Sequence, residues 1–247
     1  MLATLNAERI KLQSTRAVVW TTLSVTVLSL GFAAIQAGGL PYSYLSPERA
    51  ALGVSMFGVP VLMILSAQSV TTECRTGMIR TTFLATPHRG VVLAAKAVVA
   101  AAFSGIVTAV MMVGAIGLAR LLSSERAGEL DLSGWEVWRA VGATSLYAVL
   151  GAVLAVALGA LLRHTAAVVA VLVLMPFVVE PLLGTIPQIG GRIGSLLPFA
   201  NAYAFTKTPW FQTFTMWWGP VGAAFYFAAV AAGVSVLSLV MVTRRDP

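Results

Sequence analysis

Six long apolar runs decide what this chain can fold into. They lie at 17–37, 51–70, 91–118, 138–162, 166–183 and 219–242. A run of about 20 apolar residues is long enough to cross the hydrocarbon core of a bilayer as an α-helix. Only 10% of the 247 residues are charged, whereas a soluble domain carries about a quarter. The sequence therefore predicts an all-α, polytopic membrane protein with six transmembrane helices in a single domain, 1–247.

The apolar runs are continuous, as in "AVVAVLVLMPFVV" at 167–179. Strands of a membrane barrel would alternate apolar and polar residues instead, so helices are favoured. The first run exceeds the length of a signal-peptide core, and we interpret it as a span and not as a cleaved leader. The third run, 91–118, is longer than a bilayer requires and is expected to tilt or protrude.

The basic residues predict the orientation of the spans. Ten basic and three acidic residues fall on one side, which includes both termini, whereas six of each fall on the other side. Because basic residues concentrate in cytoplasmic loops, both termini are expected in the cytosol. Arginine far outnumbers lysine, and Ala and Val are abundant, a bias typical of GC-rich bacterial genomes, so the inner or plasma membrane of a bacterial cell is expected. Topology accounts for these charges, so no nucleic-acid partner is predicted.

The segment 184–218 is expected to lie on the outer side as re-entrant or interfacial pieces. It is too apolar for a solvent loop, and glycines and prolines interrupt it. Such backbone is tolerated at membrane depth only where protein or a wet cavity covers it. Five tryptophans fall on the same side and are expected to form an interfacial belt: Trp135, Trp138, Trp210, Trp217 and Trp218.

Small residues recur every four positions in the fourth span, at Gly151, Ala155 and Gly159. This spacing is typical of a close helix–helix contact, although the general abundance of Ala and Gly explains it equally well. Two charges fall within spans. Lys96 is expected to extend its amine to the cytosol. For Glu180 a structural ion pair with Arg139 or Arg192 is preferred over a proton relay.

The sequence carries none of the patterns expected of an enzyme with its own nucleotide site. No P-loop pattern occurs, and none of the three lysines follows a glycine. The two histidines, His88 and His164, are far apart, so no zinc motif is present. The single cysteine, Cys74, excludes an intrachain disulfide. We expect no catalytic residue, no metal and no cofactor bound by this chain.

A polar stretch, "TTECRTGMIRTTFLATPHRG" at 71–90, separates the second and third runs. Ile79 and Phe83 are four residues apart and share one face of a helix. Gly77 allows a break, and Pro87 ends the helix before the third run. A short charged helix with apolar anchors is a suitable docking element; the alternative is a loop that carries basic residues. Residues 1–16 predict a second, interfacial helix before the first span.

Three segments together resemble the type 2 ATP-binding cassette (ABC) permease family: "ERIKLQSTR", "ECRTGMIRTTFLATPHRGVVLAAK" and "LLPFANAYAF". The resemblance covers essentially the whole chain, and the second segment is its most specific part. It implies a membrane subunit that joins a second permease subunit, identical or related, and two separate ATPase subunits that use ATP and Mg. It also implies that the 71–90 helix couples to the ATPase.

The residues to which these roles transfer fall in two groups. The coupling contact falls on Glu73, Arg75, Gly77, Met78, Ile79 and Arg80, with Phe83 on the same helix face as Ile79, and the N-terminal connecting helix carries Glu8, Arg9 and Lys11. The resemblance implies half of a transporter, and we expect it to be an exporter. The apolar spans suit an amphipathic small molecule, drug, peptide or lipid as its cargo. The alternative is a non-transporting membrane anchor or regulatory subunit of a membrane complex. The cargo, the residues that line its path and the identity of the second permease subunit stay open.

Overall fold

The structure is a computed structural model that describes residues 2–38, 45–78, 81–82, 89–123, 130, 132–186, 190–209 and 214–244. Every regular element within these residues is helical, and none is a strand. Six helical segments are long and apolar enough to cross a membrane, namely Arg16–Gly38, Val54–Thr76, Arg89–Leu122, Trp135–Leu162, Thr165–Thr185 and Pro220–Arg244. The predicted all-helical class and the predicted number of spans are therefore confirmed, and these helices indicate a membrane-embedded protein.

Eleven α-helices, numbered here in chain order, make up the described part of the chain. They are α1 (Leu2–Ser14), α2 (Arg16–Gly38), α3 (Pro47–Ala50), α4 (Val59–Thr76), α5 (Arg89–Leu122), α6 (Trp135–Leu162), α7 (Thr165–Leu174), α8 (Glu180–Thr185), α9 (Gly190–Ile193), α10 (Pro198–Thr206) and α11 (Pro220–Arg244). A π-helical turn, Val54–Gly58, leads into α4, and a second, Met175–Val179, joins α7 to α8. Each of these two spans is thus one continuous helix with a wider turn inside it.

Contacts between helix ends define two ends of the bundle. At the first, which we call the basic end, the Arg89 Nη1 atom at the start of α5 donates to the carbonyl of Val242 near the end of α11. Thr165 at the start of α7 donates to Thr71 near the end of α4 at the same end. At the opposite end, Arg139 of α6 forms an ion pair with Glu48 of α3.

Helix α6 is the central element and packs against α4, α5 and α11. A Cβ atom placed on Gly159 would lie 3.0 Å from the carbonyl oxygen of Ala67 in α4, and one on Gly151 would lie 2.9 Å from the Met63 Sδ atom. Ala155, between the two glycines, is fully buried in the same core. The small residues of the fourth span therefore form a close contact with α4.

Helix α10, one of the short helices after α8, is covered by protein on its aromatic face. Phe199 and Phe205 of α10 place their rings 6.2 and 6.3 Å from the ring of Phe227 in α11. Tyr203 is buried beside Tyr147 of α6, with ring centroids 6.0 Å apart. Residues 187–189 and 210–213, which include Trp210, lie outside the described residues.

The outward faces of several spans are apolar and exposed. Trp20, Val27 and Ile35 of α2 are each about two-thirds or more exposed. Of the predicted belt, Trp135, Trp138 and Trp217 are exposed, whereas Trp218 stacks on Tyr226 at 5.4 Å and is partly buried. A surface of this kind requires lipid or protein around it and not water.

Candidate functional site

Four charged side chains from three helices meet at the basic end, and we call them the ionic cluster. Its members are Glu8 and Lys11 of α1, Glu73 of α4 and Lys96 of α5. The Lys96 Nζ atom lies 2.8 Å from Glu8 Oε2 and 2.8 Å from Glu73 Oε1. The Lys11 Nζ atom lies 2.9 Å from Glu8 Oε1 and 2.8 Å from Glu73 Oε1. Each lysine thus joins both carboxylates.

The helices bring these residues together through their ordinary spacing. Glu8 and Lys11 are three residues apart on α1 and therefore share a face. Glu73 lies in the last turn of α4, and Lys96 lies about two turns into α5. Because α4 and α5 run in opposite directions at this end, the two side chains come to the same level. Helix α1 packs across α5 and completes the cluster.

Three of the four side chains of the ionic cluster are buried, so its ion pairs are shielded from water. The side chains of Lys96, Glu8 and Glu73 are only 3%, 6% and 9% exposed, whereas that of Lys11 is 44% exposed. Lys96 also donates to the Ser69 carbonyl at 3.1 Å, so all three of its N–H groups have acceptors. Two cations and two anions balance, which offsets the cost of removing these charges from water.

The prediction for Lys96 was wrong. Its amine does not extend along the helix toward water, because two carboxylates and a backbone carbonyl hold it inside the protein. Glu8 and Glu73 supply charged partners within the protein, so the amine does not need water. A lysine in an otherwise apolar run was the sequence signal for this site. The pairing itself required knowledge of how α1 packs.

The partners of Lys11 raise the pKa of its amine. Partial burial lowers the pKa of its amine, but hydrogen bonds to Glu73 and Glu8 and their negative charges raise it more. The net effect is a Lys11 pKa above its ordinary value of 10.5. Lys11 therefore remains a cation, and keeps both contacts, throughout the physiological range.

Helix α4 extends further than the sequence indicated, since the predicted second run ends at residue 70. Residues 71–76 continue it without a break, so the first part of the 71–90 stretch belongs to the span and not to a separate helix. Gly77 then ends α4 with a left-handed backbone, φ +74°, and its N–H reaches the Cys74 carbonyl at 3.4 Å. A left-handed residue at this position is the common way to end a helix.

The other predicted contact residues lie around this helix end. Arg9 and Arg75 are exposed, and the Met78 side chain, directly after Gly77, is 52% exposed. Thr82 Oγ1 donates to the Met78 carbonyl at 3.1 Å, as in a helical turn. Ile79, Arg80 and Phe83 lie outside the described residues. The structure thus joins Glu8, Lys11 and Glu73 and leaves Arg9, Arg75 and Met78 at the surface.

A cavity of about 300 Å³ adjoins the ionic cluster. It lies between the α1–α2 elbow, one face of α4 and one face of α5. Polar residues of the cluster form one part of its wall, and Val18, Leu65, Val99 and Phe103 form an apolar part. Small-molecule sites are typically concave, mostly apolar and supplied with a few polar groups. This cavity has that composition, though its volume is at the low end of the usual range.

Glu180 is buried near the opposite end, and the predicted ion pair with Arg139 or Arg192 was wrong. Its Oε1 atom accepts the Phe199 N–H at 2.9 Å, and its Oε2 atom accepts the Ala200 N–H at 2.6 Å. These are free amides at the start of α10, where the helix dipole also favours a negative charge. Arg139 pairs with Glu48 instead, and Arg192 is exposed.

No group of three or more His, Cys, Asp or Glu side chains that could hold a metal ion occurs within the described ranges. The chain also matches no protein-family model, and it matches none of the curated proteins. Its functional interpretation therefore rests on the sequence resemblance and on the geometry of the basic end.

Proposed function

We propose that this chain is the membrane-spanning permease subunit of an ABC exporter, driven by separate ATPase subunits that dock at its basic end. In this proposal the basic end faces the cytosol of a bacterial cell. A second permease subunit completes the membrane part. The cargo is an amphipathic small molecule, drug, peptide or lipid.

The observation that carries the proposal is the ionic cluster at the root of the 71–90 stretch. Glu73 lies one turn before Gly77, where α4 ends, and binds both lysines of the cluster. A displacement of the chain just beyond Gly77 would therefore reach α1 through Lys11 and α5 through Lys96.

Two exposed residues beside this root suit a contact with a partner. Met78 offers a flexible apolar anchor, and Arg75 offers a charge at the rim. Protein interfaces favour Met and Arg over other surface residues. ATP-driven closure of the ATPase dimer would push on this contact, and the push would reach the spans through α4. Such coupling requires that the free energy of this contact differ between the open and the closed ATPase dimer.

The test is co-expression with a candidate ABC ATPase subunit from the same genome, followed by co-purification and by transport in vesicles. A Met78→Asp variant places an uncompensated charge at the proposed contact. We expect it to lower both ATPase recovery and ATP-dependent transport at least tenfold. Ile186→Asp is the matched control, because Ile186 is likewise exposed and apolar but lies at the opposite end. It should leave both readouts unchanged.

Three results would contradict the proposal. An ATPase that never co-purifies with the unaltered chain removes its central partner. An ATPase that co-purifies while the vesicles move no cargo indicates the alternative, a non-transporting anchor. Labelling of a Met78→Cys variant from outside intact cells by an impermeant maleimide, in a Cys74→Ser background, would place the contact on the wrong side of the membrane.

A further inference from the structure

The cavity beside the ionic cluster has a polar wall with unused hydrogen-bonding capacity. Glu73 Oε1 accepts from both lysines, whereas Glu73 Oε2 is buried and accepts no hydrogen bond from any described residue. Burying a carboxylate oxygen without a donor is costly. Lys96 has no N–H to spare, since its three donors are used. The site therefore lacks one donor at Glu73.

Lys11 has the complementary feature, a hydrogen-bond donor without an acceptor. Its amine makes two hydrogen bonds, to Glu8 and Glu73, and a lysine amine carries three N–H groups. Its side chain is 44% exposed and lines the cavity. The cluster thus holds one unsatisfied carboxylate oxygen, covered in the structure, and one spare ammonium N–H at the cavity wall. A ligand that matched both would present a donor and an acceptor.

The charge balance of the cluster narrows the class of ligand. Two lysines and two glutamates already neutralise each other. A cationic or an anionic ligand would add an unbalanced charge to a largely buried site, which is unfavourable. A zwitterion adds none, and both of its charges would form the strong, charge-assisted type of hydrogen bond.

The remaining walls indicate an apolar chain attached to that head. Phe103 lies seven residues, about 10 Å of helix, beyond Lys96 along α5. Leu65 and Val99 also line the cavity. Thr15, between α1 and α2, lines the cavity where the first apolar run begins. The polar wall therefore lies at the border between the interfacial helix and the spans, where lipid headgroups are found.

We propose that this cavity binds a zwitterionic phospholipid whose primary ammonium donates to Glu73 and whose phosphate accepts from Lys11, with one acyl chain between α4 and α5. Glu73 Oε2 is covered in the structure, so binding includes a rotation of the carboxylate about its last side-chain bond. That torsion is soft. In this proposal a partial turn brings Oε2 toward the cavity while the flexible Lys11 amine follows Oε1, since a half turn would only exchange two equivalent oxygens. The inference concerns this chain alone and stands whether or not an ATPase docks.

The test measures lipid retention on the purified chain by native mass spectrometry, using headgroups that differ only in methylation. Phosphatidylethanolamine has three ammonium N–H groups, and phosphatidylcholine has none. We expect the first to be retained about tenfold more than the second, with the monomethyl and dimethyl lipids between them. A separate experiment adds free phosphoethanolamine. If it displaces the lipid at millimolar concentration, the headgroup alone is recognised and the acyl chain is not needed.

Two neighbouring residues provide a matched pair of variants. Val99 lines the cavity, whereas Val98 is 51% exposed and does not. Val99→Trp should fill the apolar part and abolish the preference, and Val98→Trp should preserve it. Glu73→Gln replaces one carboxylate oxygen by an amide N–H, and should also remove the preference for the ethanolamine head.

Equal retention of the ethanolamine and choline lipids by the unaltered chain would overturn the proposal. So would equal retention by the Val99→Trp and Val98→Trp variants. The second comparison does not depend on Glu73, so it stays decisive if Glu73→Gln weakens the packing of α1.

Discussion

Lys96 and Glu8, 88 residues apart in the chain, are joined by a buried ion pair with 2.8 Å between Nζ and Oε2. This contact fastens the N-terminal helix to the longest span. Removing one partner of a buried pair leaves the other charge uncompensated. For Lys96→Met we expect a loss of about 3 kcal/mol in the free energy of unfolding, the low end of the range for such changes, because Lys11 remains.

Thermal unfolding in one detergent, together with protease cleavage within α1, measures this loss. The double variant Glu8→Gln, Lys96→Met removes a charge of each sign and should recover part of the stability. Lys207→Met is the control, since Lys207 is exposed and its loss should cost less than about 0.5 kcal/mol. A Lys96→Met protein as stable as this control would show that the pair contributes nothing.

The raised pKa of Lys11 predicts an alkaline limit for the attachment of α1. Because the folded-state pKa lies above 10.5, the contribution of Lys11 is fully present below about that pH and is lost as pH rises through the folded value. A fluorophore on an exposed position, Asn6→Cys in a Cys74→Ser background, should report loosening of α1 only above pH 10.5.

Lys11→Arg is the matched variant for this titration. Arginine keeps its charge far above that range, so the step that Lys11 causes should be absent. A step of unchanged size and midpoint in Lys11→Arg would assign the loosening to some other group.

The contact between α6 and α4 predicts opposite outcomes for two glycines of one helix. An alanine Cβ at Gly159 would press on the backbone oxygen of Ala67 at 3.0 Å, which cannot swing away. Gly159→Ala should therefore destabilise by about 1–3 kcal/mol. At Gly142 a Cβ meets nothing within 4 Å, so Gly142→Ala should be neutral or stabilising by up to about 1 kcal/mol. Detergent-induced unfolding compares the two, and equal effects would contradict the packing.

Glu180→Gln tests the cap on α10. A glutamine can accept only one of the two N–H groups that Glu180 accepts, and its own N–H₂ group would face the other. We expect a loss of about 1–3 kcal/mol, measured as a lower thermal midpoint. Glu136→Gln, at an exposed position, should have no such effect.

The arginine variants separate this cap from an ion pair. Arg192→Met should leave the stability unchanged, since Arg192 is exposed. Arg139→Met should act through Glu48 alone, so its effect should add to that of Glu180→Gln. A large coupling energy between Arg139 and Glu180 in a double-mutant cycle would indicate that the two residues form an ion pair after all, which would contradict the structure.

The spans were predictable because membrane length and hydropathy act on each segment separately. The third run, 91–118, corresponds to α5, Arg89–Leu122, and the sixth, 219–242, to α11, Pro220–Arg244. Errors arise where polar residues continue a helix. The second span runs on through Thr71–Thr76, because a helix needs only its own backbone bonds and a suitable end, which Gly77 provides.

The partners of charged residues were not predictable, since they depend on which helices become neighbours. Nothing in the sequence around Lys96 specifies that residues of α1 lie beside it. For Glu180 the sequence offered only arginines as partners, whereas backbone N–H groups at a helix start are equally good and carry no residue-type signal. Glu8, Lys11 and Glu73 were named through the family resemblance, and their mutual contact was not foreseen.

The π-helical turn Met175–Val179 has a consequence for the direction in which Glu180 faces. The buried residues of this span recur every four positions: Val168, Leu172, Pro176, Glu180 and Gly184. In a helix of 3.6 residues per turn such a stripe would wind about 40° around the axis with each repeat. The wider turn takes up part of this winding, so the buried residues before it and after it stay on the same side of the span. Deleting one residue from it would rotate the carboxylate out of the protein and toward the acyl chains.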